Sequence, residues 1–346
     1  MTILGIETSC DETAAAIIEG KDSYVILKAN TLATSLDLHA KTGGIIPEQA
    51  AREQVKYILP VIKDVLQKTY GADSFTILNK IDAIAITYGP GLIGSLLVGV
   101  ETAKTLAFAL NKPIVPINHM VGHIYANFIV ENEKINLPEF PLLALVVSGG
   151  HTDLLLMKRH GDFHLLGGTR DDAAGEAFDK IGRMIGLAYP AGPEIERLAK
   201  LGNPKRFHFP RPLLYENTYE FSFSGLKTAV LREVTKLADK LTSQTIQDIC
   251  RATQDAISEV LVKKTLRAVK EHNVKSLLLS GGVAANQTLR DSFSQMITEQ
   301  GLTTNLFAPA KNLCTDNAAM IASAAYFNFH PIPLNDITAD PELYFN

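Results

Sequence analysis

Twice in this chain an apolar run ends in Ser-Gly-Gly, over residues 142–150 and again over residues 276–282. Aliphatic residues in an unbroken run suit a strand buried on both faces, and the glycines that follow suit the tight turn leaving it. Helical periodicity accompanies both runs. A strand, hairpin and helix order in each half predicts two related α/β domains facing a cleft. At 346 residues the chain has the length of two domains.

The first half opens with an apolar strand through Ile6, a polar turn over residues 7–13 and a hairpin return over 14–18. A helix is expected to start near Pro47, with Val55, Ile58, Leu59, Ile62, Val65 and Leu66 on one apolar face. A buried strand over 81–86 breaks at Gly89-Pro90-Gly91, a long helix covers 92–110, and a further strand covers 113–117. In the second half, residues 142–147 and 151–157 read as strands, and 173–185 and 194–201 as helices. A loop rich in proline and aromatic residues spans 207–223, followed by a helical stretch over 226–271 broken near Thr242. Residues 276–279 form a strand, and helices begin near 284 and 317.

Composition restricts the function classes. With 46% hydrophobic and 20% charged residues, the chain is an ordinary globular protein. No apolar run approaches the roughly 20 residues that span a bilayer. The first residues lead straight into a strand rather than a signal peptide, so a cytoplasmic protein with no membrane partner is expected. A net charge of −4 gives no bulk case for nucleic-acid binding. Cys10, Cys250 and Cys314 are odd in number and widely spaced, which suits small buried residues rather than a disulfide framework.

Several groups can carry chemistry. His119 and His123 are four residues apart, so on a helix both imidazoles reach one point; with the distant Asp316 they would hold a metal and leave positions open. The alternative is two ordinary helix histidines and an aspartate that caps the helix after it. A zinc-protease helix needs Glu directly after its first His, and this chain has Met120, which moves no proton. Three turns after strands suit phosphate oxygens: residues 7–12, 147–152 and 280–286. Residues 171–180 are acidic at a helix start, which either complements the helix dipole or brings Asp179 to a ribose hydroxyl or an amine.

Taken in order, these motifs resemble the TsaD (Gcp, YgjD) family, the tRNA threonylcarbamoyladenosine transferases of the sugar kinase, Hsp70 and actin superfamily. The resemblance covers nearly the whole chain. It rests on residues 5–13, Lys104-Thr105 with Pro113 and the histidine pair, residues 148–152, 171–180 and 223–227, Ser280-Gly281-Gly282 with Asn286, and residues 314–317. It implies a two-lobed, actin-like (RNase H-like) α/β fold around a nucleotide cleft. The implied domains are residues 1–118, completed by 316–346, and residues 119–315 with a helical insertion at about 173–270.

The implied activity is transfer of the threonylcarbamoyl group from threonylcarbamoyl-AMP to N6 of adenosine at position 37 of tRNAs reading codons that begin with A, with release of AMP. His119, His123 and Asp316 would bind one divalent metal, iron(II) or else zinc. Val146, Val147, Ser148, Gly149 and Gly150 would line the adenylate (threonylcarbamoyl-AMP, or ATP/AMP), and Asp179, Gly192, Glu196 and Asn286 match nucleotide-contact positions. Asp11 or Glu12 is a candidate base or proton relay, with His151 near the reacting carbonyl. Implied partners are tRNA, TsaB-like and TsaE-like proteins, and a TsaC-like synthase supplying the donor. Gln54 stands where the family commonly has His, Ala191 where it often has Gly, and Glu196 where it often has Asp. A kinase of the same superfamily and a nucleotide-binding scaffold are the competing classes; paired histidines suit neither, since kinases hold magnesium through carboxylates and phosphates.

Overall fold

The computed structural model describes residues 1–35, 44–71, 75–130, 136–238 and 241–345. The chain forms two compact units, Met1–Leu137 with Pro309–Asn346, and Pro138–Ala308. The first unit comprises β1 (Thr2–Glu7), β2 (Glu12–Lys21), β3 (Tyr24–Thr34), α1 (Pro47–Tyr70), β4 (Ala83–Gly89), α2 (Ile93–Leu110), β5 (Ile114–Asn118), α3 (His119–Tyr125) and β6 (Ile129–Val130). The second comprises β7 (Leu142–Val147), β8 (Thr152–Met157), β9 (Phe163–Gly168), α4 (Ala174–Met184), α5 (Gly192–Ala199), α6 (Ser224–Leu237), α7 (Ser243–His272), β10 (Ser276–Ser280), α8 (Gln287–Glu299) and β11 (Asn305–Phe307). The chain then returns to the first unit as α9 (Lys311–Cys314) and α10 (Ala318–Phe327).

The two sheets share one plan. Strand order is β5-β4-β1-β2-β3, extended by β6, in the first unit and β11-β10-β7-β8-β9 in the second. In each, three antiparallel strands are followed by two that add in parallel beside the first. Each unit is therefore a mixed α/β domain, and the two are related. The expected repeat exists, but the Ser-Gly-Gly pair does not mark it. Both turns belong to the second unit, on the neighbouring parallel strands β7 and β10, where Val146 pairs with Ser280. They touch: Gly281 has φ +88°, and a Cβ there would lie 2.4 Å from the Val147 carbonyl. Only glycine fits.

In the first unit the sheet is buried on both faces. Leu4, Ile6 and Ile17 pack on Ile58, Ile62, Val65 and Leu66 of α1 and on Val100 and Ala103 of α2. On the other side α10, rich in alanine and almost wholly buried, lies across β1 and β2. It comes so close that a Cβ on Gly5 would meet the Ala318 carbonyl at 2.3 Å. The apolar face expected of α1 is narrower than predicted. Val55 and Leu59 point outward at 64% and 48% exposure, and Ala50, Gln54 and Val61 take the inner positions.

Two further expectations change. The domain boundaries fall at 137/138 and 308/309 rather than at 118/119 and 315/316. The reason is packing: α3, with the histidine pair, lies on α10 and beside β4 and β5, so it stays with the first unit. In addition, α2 is 18 residues long and apolar enough, by length and composition, to cross a membrane. Its buried residues Leu96, Gly99, Val100, Ala103 and Ala107 form one stripe against the β4 side of the sheet, as in a helix packed by one face.

Candidate metal centre

Strand β5 ends at Asn118, whose side-chain oxygen accepts the N–H groups of Met120 and Val121 and so starts α3. His119 is the first residue of that helix and His123 follows one turn later. Their rings lie edge to face with centroids 4.7 Å apart. Asp316 arrives between α9 and α10. It is free to turn toward the histidines because its neighbour Asn317 caps α10, accepting the Met320 N–H at 3.0 Å. The capping alternative for Asp316 is thereby excluded.

One Asp316 oxygen lies 3.4 Å from His119 Nε2 and 3.2 Å from His123 Nε2. The three donor atoms are all within 4.8 Å of one another. Donors bound to one ion at about 2.0–2.2 Å would stand roughly 3.0–3.5 Å apart, so little adjustment is needed. His123 adds an independent sign. It has no exposed surface; its Nδ1 makes no hydrogen bond, and its Nε2 faces the Asp316 carboxylate at 3.2 Å. An ion at this point would bind Nε2 and that carboxylate together. The residues fit a divalent metal.

His119 is oriented from behind. Its Nδ1 lies 3.1 Å from Glu7 Oε2 and 3.2 Å from Ser9 Oγ, which leaves Nε2 facing Asp316. A carboxylate behind a ligating imidazole fixes its tautomer and raises its basicity. Glu7 is itself fully buried and accepts from the Ser9 N–H and the Thr87 hydroxyl. Burial opposes a charge on His119, but Asp316 and Glu7 prevail and hold its ring well above the usual imidazole range. Burial keeps His123 below that range. Asp316 is held far below the carboxylate range, since the two imidazoles outweigh its burial.

The turn between β1 and β2 surrounds this group. Glu12 is pushed up to about 10, by burial first and then by the charge of Asp316 and by the neighbouring Asp11. Gln54 explains itself here. Buried on α1, its amide nitrogen lies 3.3, 2.9 and 3.0 Å from the carbonyls of Thr8, Cys10 and Glu12 and so fastens the turn. Cys250 and Cys314 are buried as expected, whereas Cys10 is half-buried. Burial and nearby carboxylates raise its thiol pKa strongly, so it is not a reactive thiolate.

The residues expected at a nucleotide lie in the second unit. Val146 and Val147 are buried strand residues, and Ser148 closes the turn by exchanging hydrogen bonds with His151. Gly149 and Gly150 stand exposed at its tip, where an added Cβ would meet nothing within 4 Å. Asp179 accepts the Ala191 N–H at 2.7 Å, and burial raises its carboxyl against that bond. Gly192 begins α5 with open space beside it. Glu196 reaches the N–H of Thr288 at 3.0 Å, and Asn286 caps α8 through the Leu289 N–H while its amide bonds Gln254. Asp179, Glu196 and Asn286 are thus each tied to the start of a helix, with Asn286 beside the Gly281 turn.

Sequence reasoning passed over Glu7 and the work of Asp171 and Asp172. The signal for Glu7 was a carboxylate ending an apolar strand, which demands a partner. Asp171 and Asp172 do not cap the helix that follows them. α4 starts at an uncapped Ala173, its Ala174 N–H donating to Thr152. Asp171 instead accepts the N–H groups of Phe223 and Ser224 and the hydroxyls of Ser222 and Ser224. Asp172 pairs with Lys180 at 2.6 Å and Lys227 at 2.7 Å.

The family profile described as "TsaD: tRNA N6-adenosine threonylcarbamoyltransferase" matches residues 27–323. A protein of Symbiobacterium thermophilum with the name tRNA N6-adenosine threonylcarbamoyltransferase is 48% identical over 340 residues, covering 97% of this chain and 95% of its own. A Bacillus subtilis protein of the same name is 47% identical over 333 residues, with 95% and 91% covered. Among solved structures, full-length HypF in its phosphate- and nucleotide-bound form matches 94% of this chain and 55% of its own, with TM-score 0.58 and 12% identity. That last likeness is one of fold.

Proposed function

This chain belongs to the TsaD family of tRNA N6-adenosine threonylcarbamoyltransferases, and we propose that His119, His123 and Asp316 hold the divalent metal its transfer reaction uses. The chain is a transferase that modifies tRNA. Its donor is threonylcarbamoyl-AMP and its acceptor N6 of adenosine 37. The observation that carries the metal assignment is the His-His-Asp group, whose donor atoms all lie within 4.8 Å of one another around two buried imidazoles. Iron(II) is the metal we assign, with zinc as the substitute the same ligands accept.

In the reaction the N6 amine attacks the carbamoyl carbon, the bond from that carbon to the phosphate oxygen breaks, and AMP leaves as a proton departs N6. The donor is already activated, so the protein's part is to orient it and neutralise the departing phosphate. His119, His123 and Asp316 would hold the divalent ion, which would supply Lewis-acid charge when bound. In the second unit, the N–H groups of the Ser148-Gly149-Gly150 turn, unshielded by side chains, suit phosphate oxygens. Val146 and Val147 line the adenylate; Asp179, Gly192, Glu196 and Asn286 hold its nucleoside part. Asp11 and Glu12, neighbours at the β1–β2 turn, form the relay for the proton leaving N6, and His151 is assigned to the reacting carbonyl. TsaB-like and TsaE-like proteins assist, a TsaC-like synthase supplies the donor, and the reaction takes place in the cytoplasm.

The test is reconstitution. The chain is incubated with tRNA, threonine, bicarbonate, ATP, the synthase and both partners, and nucleosides are read by mass spectrometry. Threonylcarbamoyladenosine is expected, and its absence with every component present overturns the reading. In the same assay Asp11→Asn and Glu12→Gln should each lower turnover by about 10²-fold or more while donor binding persists. Unchanged turnover in both removes the relay.

A further inference from the structure

Segment 197–238 is electrically unlike the rest of the molecule. It carries eight Lys or Arg and three Asp or Glu, a surplus of five positive charges in a chain whose net charge is −4. Residues 197–215 hold five of those cations and no acid. The proline- and aromatic-rich loop belongs to this segment, and nothing in the proposed chemistry uses it.

In the second unit this loop and α6 enclose a groove of about 430 Å³, bounded by Arg206, Phe207, His208, Phe209, Arg232 and Lys236. Its loop wall is fixed in advance. Asp248 of α7, itself 1% exposed, accepts the Asn203 N–H at 2.7 Å, Arg206 Nη1 at 2.9 Å and the Gln244 amide at 2.9 Å. Arg206 then lies over the Phe207 ring at 5.4 Å, and Phe207 stacks on Phe209 with centroids 5.9 Å apart and planes 6° from parallel. The opposite wall presents cations. Arg232 and Lys236 are one helical turn apart, so they share a face of α6, and both are exposed. Arg232 has no ion pair among the described residues. Among the described residues Lys236 pairs only with Glu233, at 2.6 Å and largely in solvent, a contact worth little and readily exchanged. His208 is exposed as well.

A rigid aromatic wall facing a row of solvated cations is the arrangement that follows a nucleic-acid backbone. We propose that this groove docks the phosphodiester backbone of the substrate tRNA, with Arg232, Lys236 and His208 meeting phosphates. The proposal rests on the transferase reading and adds to it the surface that an acidic chain needs for a polyanionic substrate.

The experiment uses the complete assembly with its partners and metal. Arg232→Glu combined with Lys236→Glu is compared with the unaltered chain and with Arg232→Lys, by steady-state transfer and by anisotropy of labelled tRNA over a salt series. Both residues are exposed, so folding should persist, checked by circular dichroism. The double variant should raise KM for tRNA tenfold or more with kcat changed less than twofold. Its slope of log affinity against log salt should fall by about 1–2, and Arg232→Lys should stay near the unaltered value. Unchanged tRNA affinity and slope overturn the groove, as does a fall in kcat alone. If the unaltered assembly binds tRNA through this surface yet modifies none, the transferase reading fails while the groove stands.

Discussion

Glu7 shows how much of a site can rest on one side chain that binds no ligand itself. A fully buried carboxylate is costly unless paired, and Glu7 is paired with the first histidine of α3. Glu7→Gln preserves size and hydrogen bonding but removes the charge behind His119. Metal affinity should weaken by about 10–100-fold, read by competition with a coloured chelator; equal affinity would mean that something else orients His119. At this scale the sequence was partly legible. The four-residue spacing of His119 and His123 and the family pattern around Asp316 pointed to three residues that the fold brings together in a group able to hold a metal. The partner of Glu7 was hidden because it depends on the pairing of β1 with β4 and on the position of α3, neither visible in a local window. Gln54 was legible as a departure, but not as the clamp on three carbonyls of the β1–β2 turn.

The start of α6 is governed by two carboxylates about 50 residues upstream, and pH should reveal it. Burial alone would raise both carboxyls. The Ser222 and Ser224 hydroxyls and two backbone N–H groups overcome it at Asp171, and Lys180 and Lys227 overcome it at Asp172, so both lie below their ordinary values. A carboxyl with a lower pKa folded than unfolded adds stability that is complete above the unfolded pKa near 3.9 and lost as pH falls through the folded one. The contribution of these two carboxylates to the unfolding free energy should therefore be complete from pH 7 to about 5 and decline below 4. Asp171→Ala should cost roughly 1–2 kcal/mol at pH 7 and flatten that acid limb, measured by urea titration at several pH values. An acid limb identical to that of the unaltered protein would contradict the account. The acidic run was legible at a helix start, and the dipole offered the obvious local explanation. Asp171 instead serves α6, and Asp172 divides its pairing between Lys180 of α4 and Lys227 of α6, a helix that only tertiary structure brings near.

For the whole molecule, two α/β units were legible, and so were most strands and helices, because buried strands and amphipathic helices announce themselves by period. The evidence chosen for the duplication was not its true mark. Ser148 and Ser280 end adjacent strands of one sheet, while the repeat lies in the shared strand order of β1–β5 and β7–β11. Loop and strand-edge geometry, which fixes where units begin and end, depends on contacts distant in sequence. The boundary moved past α3 for that reason. The central claim joins this fold to its chemistry: a threonylcarbamoyl transfer to tRNA served by a metal held by His119, His123 and Asp316. Its most direct test is threonylcarbamoyladenosine formed per tRNA, titrated against iron(II) or zinc bound per metal-stripped chain, for the unaltered protein and for Asp316→Ala. The account predicts product rising to a plateau at one ion per chain, with Asp316→Ala binding less metal and giving at least about 10²-fold slower transfer. Full product from the stripped protein, or an Asp316→Ala variant that keeps both its metal and its rate, would contradict it.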